Sequence, residues 1–485
     1  MDRRKFLAAS LAASCTALGS PRGLARPGAR GELRVTLRPD KRGEAIAADF
    51  TGLSYETSQL SDPAFFSPAN GALAGFHRHL GAAGVLRIGG NTSEYGVWSP
   101  TAAPSHPAPE ALGPDTGHQA PPRRPVTPLA VRNLRAFLEL SGWRLIYGLN
   151  MGSESPETVA DEAAYVASVM GNRLIALQLC NEPDLFNRNG LRPANYDYRQ
   201  FAAEWQRYFR AVRQRVPRAP FVGPDTANSE WLVSFARQQK DDVAFLSQHY
   251  YAEGPPTDPS MTIRRLLGPS ARLDAAFKAA AAARRDTGLP FRMAETNSCY
   301  QGGKPGVSDT FASALWAADL MYQLAEAGAL GVNFHGGGYG WYTPVAGTPE
   351  NGFAARPIYY GMLLFAVAGP GRLLKTEIDG LGAADQSVSA YALMSDDDEL
   401  KLVVLNRNLD QDVTLAVSAA GAKKASVLRL IAPRADEATD VTFGGSVVGN
   451  YGGWSPTVAE TPAVRHGVLA FQMPKASGAL VTLAT

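Results

Sequence analysis

The sequence predicts an α/β protein: a (β/α)8 barrel (a TIM barrel) followed by a smaller antiparallel β-sandwich. Three features carry that expectation. Eight short apolar runs recur between residues 49 and 368 with helix-like segments between them, the rhythm of parallel strands joined by crossover helices. The runs show little polar alternation, as strands covered on both faces do. After about Gly369 the texture changes to short alternating runs parted by turn residues, which marks a sandwich. An open doubly wound sheet is the alternative for the first part, but no glycine-rich phosphate loop follows the first strand.

The chain opens on MDRRKFLAASLAASCTALGS, with Arg3, Arg4 and Lys5 ahead of an apolar stretch from Phe6 to about Leu18. Residues 1–30 are therefore expected to be an export signal. Arg3-Arg4 followed by Lys5-Phe6-Leu7 is similar to a bacterial twin-arginine signal; a general secretory signal is the plainer alternative. Cleavage between Ala13 and Arg30 would give a periplasmic or secreted protein. Cys15 would leave with the leader, and Ala12 stands where a lipid-attachment motif wants leucine. Within residues 31–48, Glu32–Leu37 reads as a strand that joins the C-terminal sheet.

Barrel strands are expected at Phe50–Glu56, Val85–Gly90, Arg144–Asn150, Leu174–Asn181, Phe221–Asp225, Ala244–Tyr251, Phe291–Thr296 and Gly331–Gly336. Between them, Ser155-Pro156 supplies an N-cap and a proline at the first helical position, with Val159, Ala163, Val166 and Met170 on one face. Phe201, Trp205, Phe209, Val212 and Val216 form a second apolar face. Ser308 is expected to cap a third helix, with Phe311, Leu315, Trp316 and Leu320 inward and an end near Gly328. Residues 99–128 are crowded with proline, which excludes helix and central strand. This segment leaves the second strand on the face where barrel enzymes build their sites, so it reads either as a surface loop or as a wall over the cleft. In residues 369–485, sandwich strands are expected at Val388–Met394, Leu400–Asn406, Val413–Val417, Ser426–Ile431, Gly467–Met473 and Ala479–Ala484. The turn Ser395-Asp396-Asp397-Asp398 reads as a solvated hairpin rather than a calcium loop.

Composition excludes several functions. A chain of 485 residues with 45% hydrophobic and 19% charged residues suits one large domain and a smaller one. A net charge of +2 without a basic block gives no reason to expect a nucleic-acid partner. No apolar run in the body reaches the ~20 residues of a membrane span. Cys180 and Cys299 are no disulfide framework, and Cys180 reads as a packed thiol. His77 and His79 are spaced two apart and no other ligand cluster stands out, so neither metal nor cofactor is expected.

The chemistry lies at strand ends. The fourth strand runs into Asn181-Glu182-Pro183, and the seventh, FRMAETNSCY, carries Glu295. In a barrel these carboxylates share one face. Cleavage of a glycosidic bond asks for such a pair, one carboxyl protonated as acid and one ionised as nucleophile, about 5–5.5 Å apart in a retaining enzyme.

Five stretches, LRIGGNTSEY (86–95), LQLCNEPD (177–184), SQHYY (247–251), AETNSCYQGG (294–303) and FHGGGY (334–339), together resemble the β-glucuronidase and heparanase family of retaining glycoside hydrolases, family 79. The resemblance runs from about residue 33 to the end. It implies that Glu182 is the general acid/base and Glu295 the nucleophile. It also implies that Asn181 binds the sugar 2-hydroxyl, Tyr250 hydrogen-bonds Glu295, and Glu56 holds ring hydroxyls with either Glu94 or Asp115. Tyr300, Gln301, Gly302 and Gly303 face Gly336, Gly337, Gly338 and Tyr339 across strands seven and eight. Glycine N–H groups there, with hydroxyls from Tyr300 and from Tyr339 or Tyr342, make a seat for a uronate carboxylate; tight-loop glycines are the plain alternative. His249, His335, Trp98 and Trp341 read equally well as pocket or structural residues. The implied activity is exo-cleavage of a terminal glucuronic acid from a glycan. The alternatives are heparanase-like endo action, a neutral-sugar glycosidase of the same clan, and a carbohydrate-binding protein on an inactive barrel.

Overall fold

In the computed structural model the described residues are 32–101, 121–380, 386–418 and 421–484. The expected leader, Asp115 and most of the proline-rich segment lie outside them.

Eight parallel strands close into a barrel in chain order: Thr51–Glu56, Val85–Gly89, Arg144–Gly148, Leu174–Gln178, Phe221–Thr226, Phe245–Glu253, Phe291–Cys299 and Val332–Gly336. They are called strands one to eight below. Nearly every residue in them is buried, which explains the missing polar alternation.

The helices start where their caps say. Ser155 accepts from Thr158 N ahead of Pro156–Met170. Asp197 and Gln200 form a reciprocal capping box ahead of Tyr198–Arg215. The helix Phe311–Glu326 departs from expectation. Thr310 holds its N-cap position without a side-chain cap, and Ser308 Oγ instead accepts from Lys304 N. The carbonyls of Glu437 and Ala435 take the first helical N–H groups, from Phe311 and Ala312, at 2.7 and 2.9 Å. A neighbouring segment thus satisfies donors that a side chain would otherwise cap.

The second body is one continuous ten-stranded sheet, and all six expected strands fall in it. Leu33–Ile46 joins it as expected. It lies antiparallel to Gly371–Asp379, a strand the sequence hid, and parallel to Val413–Ser418. Leu33 and Val35 share one core with Val404, Val427 and Val481 from the far half of the sheet, so the sheet curls over on itself. Its other face docks on the barrel: Tyr391 stacks on Tyr322 at 4.7 Å and donates to Asp319 Oδ1 at 2.8 Å. Cys180 and Cys299 are buried and free. No helix among the described residues is long and apolar enough to cross a membrane.

Candidate active site

The end of strand four explains why an apolar run stops on Glu182. That residue takes a left-handed backbone, φ 45° and ψ 57°, and Pro183 begins a short 3-10 turn. Its N–H donates to the Asp225 carbonyl at 2.8 Å, tying the bend to strand five. Glu295 projects from strand seven. One oxygen of each carboxylate and one nitrogen of His249 lie within 4.8 Å of one another.

The two carboxylates live in opposite fields. Arg87, fully buried on strand two, donates to Glu295 Oε2 at 2.5 Å, and Tyr251 donates to Oε1 at 2.7 Å. His249 and His335 stand 3.9 and 3.7 Å from the same Oε2. Burial pushes the Glu295 pKa up, but His335, His249, Arg87 and the Tyr251 hydroxyl outweigh it and hold it well below the usual range. For Glu182, burial dominates. It raises the pKa, and the Glu295 charge adds to the rise against the pull of His249.

His249 links both groups. Its Nδ1 is 3.0 Å from Glu182 Oε1 and its Nε2 is 3.1 Å from Asp225 Oδ1. Burial lowers its pKa, yet Glu295, Asp225 and Glu182 push it up to about 10. An imidazolium donating to both partners fits that geometry. The spacing of Glu182, His249 and Glu295 would also suit a metal ion. Arg87 already supplies the positive charge at Glu295, and both His249 nitrogens face carboxylates, so the donor set fits proton transfer better.

Arg87 organises the floor. Besides Glu295 it donates to Ser54 Oγ (3.0 Å), Gln178 Oε1 (2.9 Å) and Asn181 Oδ1 (2.7 Å). A Cβ on Gly89 would lie 2.7 Å from its Cζ, so only glycine leaves room for the guanidinium.

One expected contact is corrected. Tyr250 does not reach Glu295; its hydroxyl donates to Ser270 Oγ at 2.9 Å, and Tyr251 takes the expected role. The register shifts between Met293 and Glu295, which sets Glu295 beside His249. Tyr251, two residues on, shares that inward side, whereas Tyr250 points outward.

The remaining expected residues divide. Glu56 accepts from Thr92 N and Oγ1 at 2.8 and 2.6 Å and stands 3.3 Å from His335 Nε2. Glu94 is spent on the backbone: its oxygens accept from Asn181 N and Gly152 N, both at 2.6 Å. Burial pushes its pKa up to about 8 against those donors. It therefore braces the strand-four turn. Asn181 Nδ2 donates to Asn91 Oδ1 at 3.2 Å. Tyr300, Gln301, Gly302, Gly337, Tyr339 and Tyr342 line the same cavity of about 750 Å³ as Glu182 and Glu295. Trp341 N donates to Gly302 O at 2.6 Å and locks the two loops together, while Gly337 N–H is taken by Thr343 Oγ1 at 3.3 Å.

Arg87, Tyr251 and Asp225 were not singled out from the sequence. Arg87 did leave a signal, a lone cation inside the apolar strand Val85–Gly89.

Residues 390–480 match the glycosyl hydrolase family 79 C-terminal beta domain. The chain is a glycoside hydrolase that resembles family 79. A β-glucuronidase of Aspergillus niger is 25% identical over 412 residues, covering 76% of the chain and 73% of that protein. One from Neurospora crassa is 24% identical over 315 residues, covering 58% of the chain and 55% of its own length. Among solved structures, a 4-O-α-L-rhamnosyl-β-D-glucuronidase from Fusarium oxysporum superposes with a TM-score of 0.75 at 18% identity, over 93% of the chain and 100% of that structure. A family 51 arabinofuranosidase from Xanthomonas axonopodis gives 0.70 at 17%, over 93% and 100%. These superpositions establish for the hydrolase a barrel-plus-sheet fold.

Proposed function

We propose that this hydrolase is a retaining β-glucuronidase that removes terminal β-linked glucuronic acid from a glycan by double displacement. The observation that carries the reading is the pair Glu182 and Glu295, within 4.8 Å, with the pKa of the first raised and that of the second lowered by their surroundings. That separation leaves no room for a water between carboxylate and sugar, as inversion requires. Ionised Glu295 attacks the anomeric carbon while protonated Glu182 gives its proton to the leaving oxygen. A glycosyl ester forms on Glu295 and removes its charge. The repulsion that kept Glu182 protonated vanishes, so Glu182 then takes a proton from the water that hydrolyses the ester.

The β-glucuronidase relatives support the uronate specificity. So do Tyr300 and Tyr342, which line the cavity and can offer hydroxyl donors to a sugar carboxylate. Burial holds the Tyr342 hydroxyl well above its ordinary pKa, so it stays a donor. Aryl β-glucuronide and the matching β-glucoside, assayed side by side, test the reading. Faster turnover of the glucuronide is expected; faster turnover of the glucoside would remove it. Export through the Arg3-Arg4 leader belongs to the same proposal, and a fusion of residues 1–30 to a reporter that works only outside the cytoplasm tests it.

A further inference from the structure

We infer that Asp225 is a positioning residue for the second half of the reaction: it holds the proton on His249 after Glu295 has been esterified, and so keeps Glu182 ionised as the base that activates water. The inference rests on the proposed double displacement and deepens it. Asp225 lies at the end of strand five and is fully buried. Its Oδ1 stands 3.1 Å from His249 Nε2, and its Oδ2 has no hydrogen-bond partner among the described residues. A carboxylate so far from water needs a cation beside it. His249 is placed to be that cation, because its other nitrogen, Nδ1, faces Glu182 Oε1 at 3.0 Å. Asp225 also fixes Glu182 directly, since its backbone carbonyl accepts the Glu182 N–H at 2.8 Å.

Several elements set the charge around the imidazole. Arg87 Nη2, on strand two, stands 3.3 Å from Nε2 and opposes a second positive charge. Glu182, Asp184 on the same turn, Asp225, and Glu295 with its Oε2 3.9 Å from Nδ1 all favour one. His335, on strand eight, stands 3.7 Å from the same Glu295 oxygen. In the resting enzyme Glu295 and Asp225 thus both hold the His249 proton. When Glu295 attacks the sugar, the ester takes its charge away, and Asp225 is left across the ring from Glu182. Without Asp225, Glu182 and His249 would be a lone ion pair in a dry site, which relaxes to the neutral pair and leaves the base protonated. With Asp225, the imidazolium persists and Glu182 stays ionised beside it. Water then attacks the anomeric carbon and its proton goes to Glu182. The bond from that carbon to Glu295 breaks, and its electron pair returns to the carboxylate.

The test uses 2,4-dinitrophenyl β-glucuronide, whose leaving group departs without a proton. Its kcat reports hydrolysis of the ester, and its kcat/KM reports ester formation. Asp225 has a left-handed backbone, φ 54°, which asparagine tolerates, so D225N is the first variant. Its kcat should fall about ten- to hundredfold and its kcat/KM by less than about threefold. A burst of phenol should precede the slow phase, and the acid limb of kcat should move up by about one to two pH units. Azide needs no base and should restore turnover. H249Q, which removes the cation itself, should show the same burst and the same rescue, and it decides by the same rule if D225N does not fold. Wild-type kcat in the variant, a parallel fall of kcat and kcat/KM without a burst, or a burst that azide does not relieve overturns the inference. The dinitrophenyl β-glucoside is run beside the glucuronide. Faster cleavage of the glucoside removes the uronate reading alone, and burst and rescue are then read on the glucoside.

Discussion

Removing the Tyr251 hydroxyl should shift the pH dependence of the reaction, and removing that of Tyr250 should not. Tyr251 donates to Glu295 Oε1 at 2.7 Å in a buried site, so the bond is charge-assisted. Such a bond to an ionised partner is worth about 1.5–3 kcal/mol, or roughly one to two pH units. The sign follows from the environment of Glu295, whose pKa lies well below the usual range. Activity that needs the ionised carboxylate is present above that pKa and is lost as pH falls through it. In Y251F the pKa rises, so the acid limb of kcat/KM moves up by about one to two pH units. Tyr250 donates only to Ser270 Oγ, a neutral partner at the start of the next helix. Y250F should lose at most about 1 kcal/mol of stability and keep the wild-type acid limb. The assay is kcat/KM of an aryl glucuronide across pH in the three proteins. An acid limb that moves in Y250F and stays put in Y251F would refute the assignment.

E182A should lower turnover of a substrate with a poor leaving group by about 10²–10⁴-fold, and azide should restore the second step as a β-glycosyl azide seen by NMR. The alkaline limb, which Glu182 sets by its raised pKa, should vanish in the same variant. G89A pushes a methyl against the buried Arg87 guanidinium, 2.7 Å away. About 1–3 kcal/mol of stability should be lost in urea denaturation, with kcat/KM falling in parallel. Y391F removes the 2.8 Å bond to Asp319, which also stands 3.3 Å from Arg407. A lower urea midpoint at unchanged slope is expected, by about 1.5–3 kcal/mol, with activity retained in the folded protein.

The barrel was legible because each of its strands is covered on both faces, so runs such as Val85–Gly89 and Phe291–Cys299 leave an apolar trace with sharp ends. Glu182 and Glu295 were legible for a related reason: one carboxylate follows an apolar run at the mouth of the barrel and the other interrupts one. The choice between Tyr250 and Tyr251 was not, because it turns on a register shift between two neighbouring strands that neither sequence shows alone. Gly371–Asp379 escaped notice because GRLLKTEID mixes exposed charges with its few buried residues on the way through the sheet. Asp225 gave no signal, since its role depends on where His249 stands. Glu94 was seen as a site residue, but only coordinates reveal that two backbone N–H groups consume its oxygens.

The most direct measurement is the site of covalent labelling by a 2-deoxy-2-fluoro-β-glucuronyl fluoride, read by mass spectrometry of the digested protein. The fluorine slows release of the sugar, so the ester should persist on the peptide that carries Glu295 and leave Glu182 unmodified. A sugar attached to Glu182, or to any side chain other than Glu295, would contradict the division of labour between the two carboxylates.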